Sequence, residues 1–190
     1  RLKDAYEVMS NVDDNVGRIV STLEMLGIKN DTIVVYLSDN GLLYGEHQMM
    51  QKGPTFYEEQ IKTPFIFYYP KLINQGKTSD AIASAIDVMP TILDILKISA
   101  PTDVQGKSFL KVLTGEAPQY RSSVYLEYAC QSADRAQCPN FPMRGTVIPG
   151  YKWNHYMAST INGVPFSPAH EFYNLAADPF EMNNLMKKIS

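Results

Sequence analysis

The chain has 190 residues, a formal net charge of −3, 45% hydrophobic residues and 19% charged residues. That composition supports one domain, or one domain with a small appendage, and excludes wholesale disorder. With no basic block and no basic amphipathic helix, it also argues against a nucleic-acid or anionic-membrane partner, and no apolar run approaches the roughly 20 residues that span a bilayer.

The chain opens on Arg1-Leu2-Lys3-Asp4-Ala5-Tyr6, without an initiator methionine or an apolar leader, as expected for the middle of a longer protein. Residues 2–26 carry Leu2, Ala5, Met9, Val12, Val16, Ile19, Leu23 and Leu26 at steps of three and four, which predicts an amphipathic helix stopped by Gly27. Asp13, Asp14, Asn15 and Arg18 lie off that stripe and read as a solvated face with local ion pairs. Asn30-Asp31 turns the chain into a predicted strand, Thr32–Leu37. Helix followed by strand favours a parallel or mixed sheet. Residues 41–60 are irregular, with three glycines, Pro54 and a short helix near Tyr57–Gln60. Loops of that length often carry function.

Pro64–Tyr69 reads as a second strand, and Pro90 suits the first turn of a helix carrying Ile92, Leu93 and Leu96. A further short helix ends near Gly115. From Pro118 the character changes to short aromatic strands, Ser123–Tyr128, Tyr151–Met157 and Glu171–Leu175, expected to form a small antiparallel sheet. Glu181–Ile189 is expected to close the chain as a helix. The predicted division is 1–117, an α/β part with a mixed sheet, and 118–190, a small α+β part.

The densest chemistry follows the first strand. Ser38-Asp39-Asn40-Gly41 puts a carboxylate and a carboxamide at a strand's C-terminal end, where open α/β sheets place ligands. Both are hard oxygen donors of the kind calcium or magnesium takes. The competing reading is a type I′ turn, which also favours Asn-Gly. His47 offers a proton donor and Lys52 a fixed positive charge, completing half a site for a tetrahedral oxyanion. Glu58 and Glu59 read as a helix face before they read as general carboxylates, His155 and His170 as local structure, and Arg144 as a candidate to reach the pocket from the late sheet. Cys130 and Cys138 are spaced for a local disulfide in an oxidising compartment, or are two unpaired thiols in a loop.

In order, the strand into Ser38-Asp39-Asn40-Gly41, then Gly45-Glu46-His47, Lys52-Gly53-Pro54-Thr55-Phe56-Tyr57-Glu58-Glu59 and Thr63-Pro64-Phe65-Ile66 resemble the sulfatase family of the alkaline-phosphatase-like superfamily. Val12–Gly17, Ile86–Thr91, Gln105–Ser108 and Glu171–Leu185 extend the likeness over most of the chain, weakest between Ala129 and Gly150. The resemblance implies a partial alkaline-phosphatase-like sheet with flanking helices, and metal-assisted hydrolysis of sulfate esters of a carbohydrate or aryl alcohol. It implies Asp39 and Asn40 as ligands of calcium, with magnesium the alternative. Lys52 would contact the sulfate or the leaving oxygen, and His47 would line the same pocket. The family's nucleophile is a formylglycine made within a Cys/Ser-x-Pro-x-Arg motif, which these residues lack, so it is expected in a preceding part of the protein. Family habit places such proteins outside the cell, in the periplasm or in the lysosome. Two alternatives share these features: a phosphonate monoester or phosphodiester hydrolase of the same superfamily, and a non-catalytic ion-binding module.

Overall fold

The computed structural model of the chain describes residues 2–53, 55–73, 75–129, 142–157, 159–161, 164–166 and 169–188, excepting the side chains of 159–161, 164–166, 187 and 188. Cys130 and Cys138 lie outside the described residues, as does the pairing expected of them.

Helix α1 (Leu2–Met25) runs 24 residues and ends as expected at Gly27, whose φ of 71° needs a residue without a Cβ. It has no buried residue. Its apolar stripe faces strands β1 (Val34–Leu37) and β4 (Phe65–Tyr68) across a cavity of about 310 Å³, lined by Val12, Val16, Val20, Val34, Tyr36 and Ile66 among others. β1 and β4 pair antiparallel, Val34 opposite Tyr68 and Leu37 opposite Phe65. Between them lie a two-residue hairpin, β2 (Leu43–Tyr44) with β3 (Met50–Gln51), and the four-residue helix α2 (Glu58–Ile61).

A 3-10 turn over Ala85–Asp87 leads into α3 (Val88–Ile95), with Pro90 in its first turn, and α4 (Leu110–Leu113) follows. Asp87 is fully buried and holds this region together. Its carboxylate accepts from Ser84 N (3.1 Å), Lys107 N (2.8 Å), the Tyr120 hydroxyl (2.6 Å) and the Arg121 guanidinium. Every lone pair directed inward is used, so Asp87 is a structural joint and not a free ligand. Phe109 packs beside it among Phe65, Phe67 and Tyr120.

The late strands form a four-stranded antiparallel sheet in the order β10-β7-β6-β5. They are β5 (Val124–Tyr128), β6 (Met143–Ile148), β7 (Tyr151–Tyr156) and β10 (Ala169–Asn174). A short pair, β8 (Ser159–Ile161) and β9 (Val164–Phe166), precedes β10. Val124, Met143, Lys152, Asn154 and Tyr173 are buried on its inner face. Phe56 packs there too: a Cβ on Gly145 would come within 3.0 Å of its ring.

The closing helix expected over Glu181–Ile189 is instead an extended strap with one 3-10 turn, Leu185–Lys188. Side chains outcompete the helix for its backbone. Asp178 accepts from Met182 N (3.1 Å) and Asn183 N (2.7 Å), while Asn184 accepts from Phe172 N (3.1 Å) and donates to His170 O (3.1 Å), stitching the strap to β10. Among the described residues, no helix is long and apolar enough to cross a membrane.

Candidate active site

Asp39 and Asn40 leave the end of β1 with neither Asn40 nor Gly41 at positive φ. A type I′ turn requires positive φ at both, so that reading fails. The glycine answers a different demand. A Cβ at Gly41 would lie 1.9 Å from the Glu59 carbonyl oxygen, and Gly41 N donates to Gln60 O at 2.7 Å. The strand tip is pressed onto α2.

The same turn orients the two oxygen donors. Asp39 Oδ1 accepts from Asn40 N (2.9 Å), and Asn40 Nδ2 donates to Gly41 O (2.8 Å). Among the described residues, Asp39 Oδ2 and Asn40 Oδ1 are left without a hydrogen-bond partner. Two hard oxygens of one charge fit a calcium or magnesium ion, as two of the six to eight ligands calcium takes. No group of three or more His, Cys, Asp or Glu side chains among the described residues could hold a metal alone, so these two fit as a contribution to a shared shell.

His47 sits in a strained stretch. His47, Gln48 and Gln51 have φ of 52°, 60° and 69°, conformations that cost non-glycine residues of order 1–3 kcal/mol each and persist only where surroundings impose them. Its ring stacks on Tyr57, centroids 3.6 Å apart and 6° from parallel. Its Nε2 lies 3.9 Å from Glu59 Oε2, too far for a hydrogen bond but within an ion contact for an imidazolium. That carboxylate oxygen is buried and makes no hydrogen bond among the described residues. Glu46 ties down the loop before it: its own and Tyr44's backbone N–H groups hold its carboxyl below the usual range.

Lys52 is exposed and follows β3, where Gln51 pairs with Leu43, so it leaves the hairpin beside the point where Leu42 enters. No hydrogen bond or ion pair among the described residues engages its ammonium. The next residue, Gly53, is held by the buried Gln60 side chain. The amide orientation that satisfies both ends accepts from Gly53 N at 2.7 Å and donates to Thr55 O at 2.9 Å. Gln60 thus holds Gly41 by its carbonyl and Gly53 by its amide. One glutamine and two hydrogen bonds keep the segments bearing Asn40 and Lys52 on the order of 10 Å apart.

The segments that carry these residues share one support, the Tyr57–Gln60 stretch. Asn40 precedes the braced Gly41, with Asp39 one residue further back; Lys52 precedes the braced Gly53; and His47 stacks on Tyr57. Arg144, by contrast, pairs with Glu127 across β5 and β6 (3.4 Å) on the exposed outer face and does not reach the site. His155 and His170 stack on each other there, beside Trp153. Sequence reasoning passed over Gln60 and Lys152. An uncharged residue in a four-residue helix gives no chemical signal, and a lone lysine in an aromatic strand gives none either.

Residues 45–190 match the family model for the C-terminal part of N-sulphoglucosamine sulphohydrolase. The chain is 34% identical to an N-acetylglucosamine-6-O-sulfatase of Bacteroides thetaiotaomicron, over 98% of this chain and 32% of that protein. It is 31% identical to an N-acetylglucosamine-6-sulfatase of Bos taurus, over 97% and 36%. A solved structure with bound D-glucosamine-2-N,6-O-disulfate, described as its substrate, superposes with a TM-score of 0.79 at 35% identity, covering 94% of this chain and 34% of that one. The chain spans about a third of the length of the curated relatives it matches. It belongs to the sulfatase family.

Proposed function

We propose that this chain supplies part of the catalytic centre of a sulfuric ester hydrolase, acting on a sulfate ester of a carbohydrate or aryl alcohol. The observation that carries the reading is the pair of oxygens on Asp39 and Asn40, unengaged among the described residues, in a turn that Gln60 holds through Gly41 near the segment bearing Lys52. A calcium ion, or magnesium in its place, would be held in part by Asp39 and Asn40, and when bound it polarises sulfate oxygens. Formylglycine, outside these 190 residues, would supply the nucleophile.

The chain's own groups have distinct work. Asp39 provides charge and Asn40 a neutral oxygen. The Lys52 ammonium faces the bridging oxygen, where negative charge grows as the S–O bond lengthens, so its attraction is larger in the transition state than in the ground state. His47, fixed between Tyr57 and Glu59, donates to a substrate oxygen. That two relatives are N-acetylglucosamine-6-sulfatases favours a sulfated amino sugar. The same reading puts the protein outside the cell, in the periplasm or in the lysosome.

The test is turnover of the whole protein on an activated aryl sulfate and on a phosphonate monoester, with calcium and after chelation. Faster, calcium-dependent turnover of the sulfate is expected. Preference for the phosphonate would move the protein to the neighbouring hydrolase class. No metal-dependent turnover of either would leave an ion-binding module.

A further inference from the structure

α2 contacts His47 and the glycines that follow Asn40 and Lys52, and one buried ion cluster fixes α2 to the C-terminal sheet. The Lys152 side chain, on the inner face of β7, is fully buried. Its Nζ lies 3.0 Å from Glu58 Oε1 and 2.6 Å from Glu181 Oε1. Glu181 is equally buried, and its Oε2 accepts the Glu58 backbone N–H at 2.7 Å. Glu181 holds a left-handed φ of 54° to reach this position. Burial pushes its carboxyl above the usual range, against the pull of the Lys152 ammonium.

Such a cluster is a poor source of stability. Desolvating three charges offsets most of their attraction, and well-packed neutral side chains of similar volume often do as well or better. What the cluster does supply is directional constraint on the first turn of α2, from two sides at once. Resting on the reading above, we infer that Lys152 is a positioning residue for the catalytic site: with Glu58 and Glu181 it locks α2, and α2 carries that lock to Asn40, His47 and Lys52. Every link is short. Glu58 is followed by Glu59, whose carbonyl fills the space of a Gly41 Cβ, and by Gln60, whose carbonyl holds Gly41 N and whose amide holds Gly53. Tyr57, on the other side of Glu58, stacks on His47. Among the described residues, no hydrogen bond or ion pair joins Lys152 to Asp39, Asn40, His47 or Lys52, so its influence passes through α2.

The test uses the whole protein and two readouts that need no turnover: amide hydrogen exchange at Gly41, and calcium affinity by calorimetry with calcium alone. Lys152→Met leaves two carboxylates unpaired and tests the cluster severely. Lys152→Met combined with Glu58→Gln and Glu181→Gln leaves no stranded charge. The triple variant is expected to fold with a melting temperature near that of the wild type, yet to exchange Gly41 at least tenfold faster and bind calcium at least tenfold more weakly. A triple variant that folds with unchanged Gly41 exchange overturns the inference, because the cluster is then only structural. One that does not fold overturns it too, because the cluster is then required for the fold as a whole. A wild type that binds no calcium sinks the metal reading, while Gly41 exchange still decides the positioning role.

Discussion

Replacing Gly41 by alanine tests the contact on which the site geometry turns. The added methyl would lie 1.9 Å from Glu59 O, 2.9 Å from Glu59 C and 3.2 Å from Gln60 Cα, all backbone atoms with no rotamer to yield. An ordinary C···O contact needs about 3.3 Å, so strand tip and helix must separate by roughly 1.4 Å. Overpacking of this kind costs about 1–3 kcal/mol and the strained Gly41–Gln60 hydrogen bond about 1 more, giving a loss of about 2–4 kcal/mol. The same displacement moves Asn40, and about 1 Å of misplacement is enough to lower a rate about a hundredfold. The assay is urea unfolding of the whole protein beside turnover of an aryl sulfate. A Gly41→Ala protein within about 0.5 kcal/mol of wild type, with unchanged turnover, would refute the reasoning.

Gly17, helical and exposed with nothing within 4 Å of its would-be Cβ, behaves oppositely: Gly17→Ala should stabilise by about 0.5–1 kcal/mol in the same unfolding experiment, and a loss would contradict it. The tyrosines near α2 and Asp87 set an alkaline limit. Burial first, and then Glu171 for Tyr57, Tyr156 and Tyr173 and Asp87 for Tyr120, raise all four phenols above their ordinary value of 10.0. Below that pH these phenols are protonated in both the folded and the unfolded state. Above it the unfolded chain ionises first, so stability falls as pH rises. The urea midpoint should drop from about pH 10 upward, with tyrosinate absorbance appearing only as the protein unfolds. Early ionisation without unfolding would show these rings to be accessible.

The first half of the chain was readable because its signals are local. The three-and-four stripe of α1, the stop at Gly27 and the β-branched run into Asp39-Asn40 each follow from near-neighbour geometry. β6 escaped notice although Pro149-Gly150 marks its turn, with Gly150 at a φ of 79°. The face of β7 is where the sequence pattern alone misleads. Its alternation puts Tyr151, Trp153 and His155 on one side and Lys152, Asn154 and Tyr156 on the other. Hydrophobicity alone would bury the first set. The fold buries Lys152 and Asn154 of the second, because Glu58, Glu171 and Glu181 converge on that face from distant segments to pair with it. The closing segment differs from expectation for a related reason: Asp178 takes Met182 N and Asn183 N, and Asn184 takes Met186 N, backbone groups that a helix would need. Partners brought in by tertiary structure leave no periodic trace.

The most direct measurement is a crystal structure of the whole protein with calcium and a bound sulfate. Calcium should take Asp39 and Asn40 side-chain oxygens at about 2.3–2.6 Å, with the Lys52 ammonium within hydrogen-bonding distance of the sulfate. An ion bound elsewhere, with Asp39 and Asn40 hydrated and Lys52 turned to solvent, would contradict the proposed centre.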